Sequence, residues 1–429
     1  MEAYKSALEK IKIFRVHGIP YFDGHVHPQY EGRSIANFPD SICRWMDIPS
    51  LHNNGLTEEY HQGLEGPFQH VIFILVDGLS LRLFNRFRNN ISSESSKNGW
   101  DSHFRDGRYL PLTSICPSTT SAALTTLWTG AQPCEHGIIG YELFLKKFGL
   151  IANMITHSVA SYNKLPVDIS GAGFNPSTFL PVQTLGSHYR QYGVNSYAFQ
   201  HESITKSGLS RMLFQQVQQE SYTDQVDLWR SVHQQLDNQQ RDKSFVYIYW
   251  SGLDTFSHRA GPDSDQLYRE WCDFADLFSL FIKTLRNSIK AKTLVILTAD
   301  HGQIATSIKT DYDLHNHPGL NRHLVMVPTG ESRLPFLNIK PGHQDFVENY
   351  LQTHWQGNFT LLPVKNALTS GLLGNRDYHQ STIDRMGSHI VFPRGNAYWW
   401  WVEKENHLLG RHGGLSNEEM LVPFFALPI

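Results

Sequence analysis

Six side chains able to donate oxygen or nitrogen to a metal recur along the chain: Asp77, Asp254, His258, Asp300, His301 and His412. Mixed Asp and His ligation suits zinc, and two such ions about 4 Å apart can bind attacking and leaving oxygens together. Six ligands divide naturally into two sets of three. A nucleophile is available in LPLTSICPSTTSAALTTLWTGAQPCEHGIIGY, where Leu112 to Cys116 can form a strand, Pro117 breaks it and Ser121 to Leu127 favours helix. Ser118, Thr119 and Thr120 then sit near a helix N-terminus, where unpaired N–H groups and the helix dipole favour a phosphate and the alkoxide of a nearby hydroxyl. One of Ser118 and Thr119 is expected to serve only as an N-cap.

The elements that must position these groups are legible as apolar runs. HVIFILVDG, SFVYIYWSGLDTFSH and TLVILTADHG each carry a β-branched or aromatic run that stops at small residues and Asp. Such runs read as strands buried on both faces of a parallel sheet. Between the second and third, DSDQLYREWCDFADLFSLFIKTLRNSI has apolar residues three and four apart and reads as an amphipathic helix. Strand, helix, strand implies a right-handed crossover, hence an α/β fold with a doubly wound, mostly parallel sheet and helices on both faces. Ligands of such sheets bind beyond the carboxyl ends of the strands, which is where Asp77, Asp254 and Asp300 fall.

The expected organisation is an N-terminal extension over 1–66 packed on the core, a catalytic α/β core over 67–310, a small α/β cap insertion of strand, helix and strand over 311–395, and a return to the core over 396–429. The final apolar run, LVPFFAL, reads as one more strand. A net charge of -3 offers no basic face for nucleic acid. No stretch approaches the roughly 18 apolar residues of a membrane span, and the first residues have no apolar signal core, so the default compartment is the cytoplasm. Four separated cysteines form no CxxC pair and indicate neither a disulfide framework nor a thiolate zinc site.

In order along the chain, VDG at Val76 to Gly78, CPSTTSAALTTLWTG at Cys116 to Gly130, PCEHGIIGY, DTFSH at Asp254 to His258, ADHG at Ala299 to Gly302 and RHGGLSNEEMLVP near the end make a joint pattern. That pattern resembles the type I phosphodiesterase and nucleotide pyrophosphatase family of the alkaline phosphatase superfamily. The resemblance implies an alkaline-phosphatase-like fold and two divalent ions, zinc or else manganese. Asp77, Asp300 and His301 would hold one ion with the nucleophile oxygen, and Asp254, His258 and His412 the other. Members place the nucleophilic Thr ten residues before the glycine of a Thr-Gly pair; counting back from Gly130 gives Thr120, with Thr119 second. The chain departs from the family where nucleotide pyrophosphatases carry Phe-Pro-Asn after that Thr, having Ser121, Ala122 and Ala123 instead. The Asn that donates to phosphate is absent, so a backbone N–H or another residue such as Tyr141 must replace it, or the substrate differs.

The expected activity is hydrolysis of a small-molecule phosphodiester or pyrophosphate, a nucleotide among the candidates, through a covalent phosphothreonine. No Lys or Arg lies between Ser118 and Gly130 to meet the extra charge of a monoester, although Arg259 and Arg411 flank the ligand motifs and could contact phosphate or form surface ion pairs. A phosphomonoesterase, a phosphonate hydrolase or a phosphotransferase on the same metals is the alternative within enzymes, and a metal-bound interaction protein without catalysis the alternative outside them. His25 and His27 in DGHVHP imitate an amidohydrolase metal motif but follow a short segment with Pro20, which favours a loop at the rim of the site. His315, His317 and His323 form a cluster for which an additional metal is the alternative to the favoured reading as solvent-facing or supporting groups, and Trp399 to Trp401 read as part core, part stacking platform if they lie on a strand.

Overall fold

A computed structural model describes residues 2–90, 100, 102–160, 167–238 and 242–429. Its central sheet has seven strands in the order β2 (Arg108–Thr113), β16 (Leu421–Pro428), β9 (Thr293–Thr298), β1 (His70–Val76), β8 (Ser244–Trp250), β6 (Asn195–His201), β7 (Gln218–Tyr222). β1 runs parallel to both β8 and β9, with every residue of the three strands buried, as the unbroken apolar runs require. Parallel neighbours end on the same edge. β16 is antiparallel to both its neighbours, and its first residue, Leu421, stands opposite Thr113, the last of β2. The chain just before β16, with His412, and the chain just after β2, with Ser118 to Thr120, therefore share the edge where β1, β8 and β9 end.

The helix Asp265–Thr284 buries Leu267, Trp271, Phe274, Phe278 and Phe281 at spacings of three and four, and Trp271 joins an aromatic cluster with Phe84 and Trp100. Its N-cap Ser264 accepts from the Leu267 N–H at 3.4 Å. The first 66 residues hold a helix at Glu2–Ile13 that sequence periodicity missed, and a helix at Phe38–Trp45 whose Phe38 and Trp45 lie against Phe424 of β16. Their apolar side chains belong to the main core rather than to a separate one.

A second, antiparallel sheet has the order β13 (Phe359–Pro363), β14 (His389–Pro393), β12 (Leu334–Leu337), β11 (Thr329–Glu331), β3 (Glu142–Leu145), β4 (Leu150–Asn153), β5 (Ser158–Val159). It is larger than a strand, helix, strand insertion, because it recruits three strands from 142–159 that sequence reading gave to the core region. A two-stranded ribbon, β10 (Ile304–Ala305) with β15 (Gly410–Arg411), ties the chain after His301 to the chain before His412. Trp399 to Trp401 do not form a strand: Trp399 packs on Trp355 and Phe359, Trp401 belongs to the same small core, and Trp400, partly buried against it, donates to the Lys404 carbonyl. Among the described residues, no helix is long and apolar enough to cross a membrane.

Candidate active site

Asp77 follows β1, and Asp300 and His301 follow β9, so adjacent strand ends deliver three donors to one point. Gly78 makes this approach feasible: it has φ +75°, and a Cβ there would lie 3.1 Å from the Asp254 Cα. Asp300 Oδ1 accepts the N–H groups of Gly78 at 3.2 Å and His301 at 2.9 Å, and the Tyr249 hydroxyl donates to Asp77 Oδ2. Asp77 Oδ1 and Asp300 Oδ2 are buried without a hydrogen-bond donor, 3.6 and 3.5 Å from His301 Nε2. Burial first, then the neighbouring carboxylates, raises Asp77 far above the ordinary range. Burial raises Asp300 to about 7, opposed by its hydrogen bonds, while burial lowers His301 to about 4.

The second trio is built on the helix Gly252–Ala260, where Asp254 and His258 lie four apart and so share a face. His258 Nε2 is 3.4 Å and His412 Nε2 3.9 Å from Asp254 Oδ1, to which Gln303 also donates. Burial alone would raise Asp254, but the imidazoles of His258, His412 and His301 outweigh it and hold the carboxyl low. In both trios each His gives its Nδ1–H to a backbone carbonyl: His301 to Gly302 at 3.0 Å, His258 to Gly410 at 2.9 Å, His412 to Ser118 at 3.2 Å. That fixes the tautomer and leaves every Nε2 as a lone-pair donor. Within each trio the candidate ligand atoms lie within 4.8 Å of one another. Orphaned carboxylate oxygens beside oriented Nε2 atoms are a donor set that fits two divalent cations. The two trios adjoin, with the His301 and His412 rings stacked at 3.8 Å.

Four consecutive hydroxyls stand at the start of the helix Thr120–Thr129, and each has a protein partner. Ser118 Oγ donates to the Gly414 carbonyl at 2.7 Å, Thr119 bonds Glu331, and Ser121 Oγ donates to the Gly140 carbonyl at 2.9 Å. Thr120 Oγ1 instead lies 3.1 Å from His301 Nε2, at the first trio. Ala122 and Ala123 are fully buried, which leaves no side-chain donor where the family has its Asn.

The description type I phosphodiesterase / nucleotide pyrophosphatase matches residues 71–414, most of the sequence. The chain belongs to that family. No curated protein sequence matches it. Solved structures with the same fold include murine and human ectonucleotide pyrophosphatase/phosphodiesterase 5, each 16% identical with a TM-score of 0.59, covering 83% of this chain and 87% of theirs. Phosphonoacetate hydrolase from Sinorhizobium meliloti is 14% identical, also with a TM-score of 0.59, over 83% of this chain and 89% of its own.

Other residues singled out in this family member fall in different places. The Tyr141 ring is partly exposed, and its N–H donates to Glu331 Oε1 at 2.7 Å. Arg259 is exposed, without an ion pair or hydrogen bond among the described residues. Arg411 is not offered to a substrate: it is buried, donates to Thr306, to the Leu408 carbonyl at 2.8 Å and to Asn406 at 2.5 Å, and lies 3.6 Å over the Tyr398 ring. His27 Nδ1 accepts the Val16 N–H at 2.8 Å, and the His25 loop runs beside residues 415–417, where Val26 N–H meets the Leu415 carbonyl at 2.8 Å. The backbone of that loop, not the imidazoles of His25 and His27, braces the chain after His412. His317 bonds Tyr350 and the Asp311 carbonyl, His315 pairs with Asp313, and His323 lies against His343.

Sequence reading missed Tyr249, Gln303 and Glu331, and gave Ser118 at most an N-cap role rather than its contacts with Gly414 and His412. Gln303 stands two residues after His301, the one positional hint; Tyr249 looks like any strand aromatic. Tyr249→Phe removes the donor to Asp77 and is expected to weaken divalent metal binding about 10- to 100-fold, read by titrating metal into chelator-treated protein. Burial pushes Glu331 up to about 8 against its bonds with Thr119 and the Tyr141 N–H. The folded state then holds a proton that the unfolded state loses near pH 4.5, so this group costs stability as pH rises from about 4.5 through 8. Glu331→Gln should melt higher than the parent at pH 8 and lose that advantage near pH 5; equal melting curves at both would remove the carboxyl from this account.

Proposed function

We propose that the chain is a two-metal phosphoester hydrolase that cleaves small phosphodiesters or pyrophosphates through a phosphothreonine at Thr120. The observation that carries this reading is the place of Thr120 Oγ1, 3.1 Å from His301 Nε2 at the first trio, while its three neighbouring hydroxyls are engaged by Gly414, Glu331 and Gly140. Asp77, Asp300 and His301 would hold one divalent ion and Asp254, His258 and His412 the other; zinc suits the mixed donors, and manganese is the alternative. When bound, such ions lower the pKa of attacking oxygens and neutralise phosphate charge. Thr120 gives up its hydroxyl proton to solvent water as Oγ1 attacks phosphorus, the P–Oγ bond forms, the P–O bond to the leaving group breaks, and the departing oxygen takes a proton from water. Water then attacks the phosphothreonine from the opposite side, and Thr120 recovers its proton. The helix Thr120–Thr129 points its N-terminal N–H groups at this place and supplies donors that a buried Ala123 does not.

Diesters are favoured because Arg411 is consumed inside the protein and no Lys or Arg lies between Ser118 and Gly130, which leaves Arg259, exposed beside His258, as the cation that would have to meet a monoester dianion. A nucleotide substrate draws support from a neighbour of the same fold, murine ectonucleotide pyrophosphatase/phosphodiesterase 5, solved as an inactive form in complex with AMP. A second reading, phosphonate hydrolysis, draws support from the Sinorhizobium meliloti enzyme solved with phosphonoformate and from the lost Asn. Metal-loaded protein should turn over bis(4-nitrophenyl) phosphate at least about tenfold faster than 4-nitrophenyl phosphate, with phosphonoacetate inert. Preference for the monoester overturns the diester assignment. Protein that retains no divalent ion and stays inactive after zinc or manganese is added belongs to the interaction-protein class instead.

A further inference from the structure

Beside the β3–β4 hairpin, away from all six candidate metal donors and Thr120, a cavity of about 270 Å³ is lined by Phe144, Phe148, Phe179, Lys146, Lys147 and Arg385, among others. Arg385 ends the helix Gln380–Arg385 and is buried. Its guanidinium carries five N–H donors. Among the described residues it makes one hydrogen bond, from Nη1 to the Gly137 carbonyl at 2.5 Å, and rests 4.8 Å from the Phe179 ring centroid. The adjacent carboxylate, Asp384, is engaged instead by Lys146 Nζ at 3.1 Å and Gln380 Nε2 at 3.2 Å. A buried cation whose neighbouring carboxylate is hydrogen-bonded by other groups is costly, and burial lowers Arg385 to about 10 against the opposing charge of Asp384. Lys147 adds a further exposed charge, its Nζ 5.6 Å from the Phe148 ring centroid. Three cations thus outnumber one carboxylate in a hollow with aromatic walls.

We infer that this cavity is a second binding site, for a small aromatic anion of the aryl phosphate class, with the anionic group on Arg385 and the ring against Phe148 and Phe179. The volume sits at the small end of ligand pockets and suits one ring with one tetrahedral anion. Phenylalanine walls favour a flat ring, and the guanidinium fork matches two phosphate oxygens. A short chain of contacts joins the site to the nucleophile helix. Gly137 caps the helix Pro133–His136, and His136 Nε2 bonds Thr126 Oγ1 at 2.9 Å.

The test uses metal-loaded Thr120→Ala protein and phenyl phosphate as the probe. Crystals should show the probe on Arg385 as well as at the metal trios, and calorimetric titration should resolve two binding events. Adding Arg385→Gln should abolish one event, and adding Lys147→Ala, an exposed change that spares the fold, should weaken the same event by about tenfold, the worth of one charge-assisted contact. A probe seen at the metal trios with the Arg385 cavity empty, or two events that survive both substitutions unchanged, overturns the proposal.

Discussion

Thr120→Ala is expected to lower kcat for bis(4-nitrophenyl) phosphate by roughly 10⁴-fold or more, because a displacement that proceeds through a covalent intermediate has no second route of similar barrier. Thr119→Ala supplies the contrast. Its hydroxyl is bonded to Glu331, so its loss should leave kcat within about tenfold of the parent, the scale of a single positioning contact. Trapping the intermediate by acid quench and locating a 4-nitrophenyl phosphoryl group on Thr120 by mass spectrometry would give the same answer without mutation. Unchanged turnover in Thr120→Ala, with loss in Thr119→Ala, would move the nucleophile by one residue.

The largest expected effect on stability comes from Arg333. Its Nε and Nη2 donate to the two oxygens of Glu419 at 3.0 and 2.7 Å, and both side chains are buried. Glu419 also accepts the N–H groups of Gly414 at 2.9 Å and Ser416 at 3.2 Å, so one ion pair fastens the cap hairpin β11–β12 to the loop after His412. Burial alone would raise Glu419, but Arg333 prevails and holds it low. Arg333→Met leaves that carboxylate buried and unpaired and should cost about 3–5 kcal/mol in denaturant unfolding. Adding Glu419→Leu should restore much of the loss. A depressed carboxyl contributes stability above its unfolded pKa and loses it as pH falls through the folded value, so the deficit of Arg333→Met should shrink in acid. A single variant as stable as the parent at neutral pH would show that the pair fastens nothing.

Much of the arrangement around the proposed metal ions was readable because it obeys local rules. Apolar runs that stop at Asp77, Asp254 and Asp300 announce buried parallel strands and their carboxyl ends. Small residues after Pro117 announce the helix start near Thr120, whereas the strand expected over Leu112 to Cys116 lies earlier, at Arg108–Thr113, and ends before Pro117. That β1 lies between β8 and β9, bringing those ends together, is a matter of strand order and leaves no local trace. The cap was harder for the same reason. ELFLKKFGLIAN is short, and its β3 pairs with β11 nearly two hundred residues away, so its assignment to the second sheet depends on a contact that neither segment encodes alone. Glu331 and Arg333 were invisible because their partners lie at Thr119, Tyr141 and Glu419. At the N-terminus, alternating Lys and Glu conceal the Ala7 and Ile11 stripe that seats the helix Glu2–Ile13.

The shared sheet also limits how this scaffold can be re-engineered. Cutting out 311–395 as a cassette would strip β11 from β3 and leave β3 as an unpaired edge, open to pairing with other molecules. A graft from a relative would therefore have to carry both stretches, 142–159 and the strands from Thr329 to Pro393, as one exchange. Changes of specificity by drift are more readily accommodated in the turns between these strands than by replacement of the whole cap.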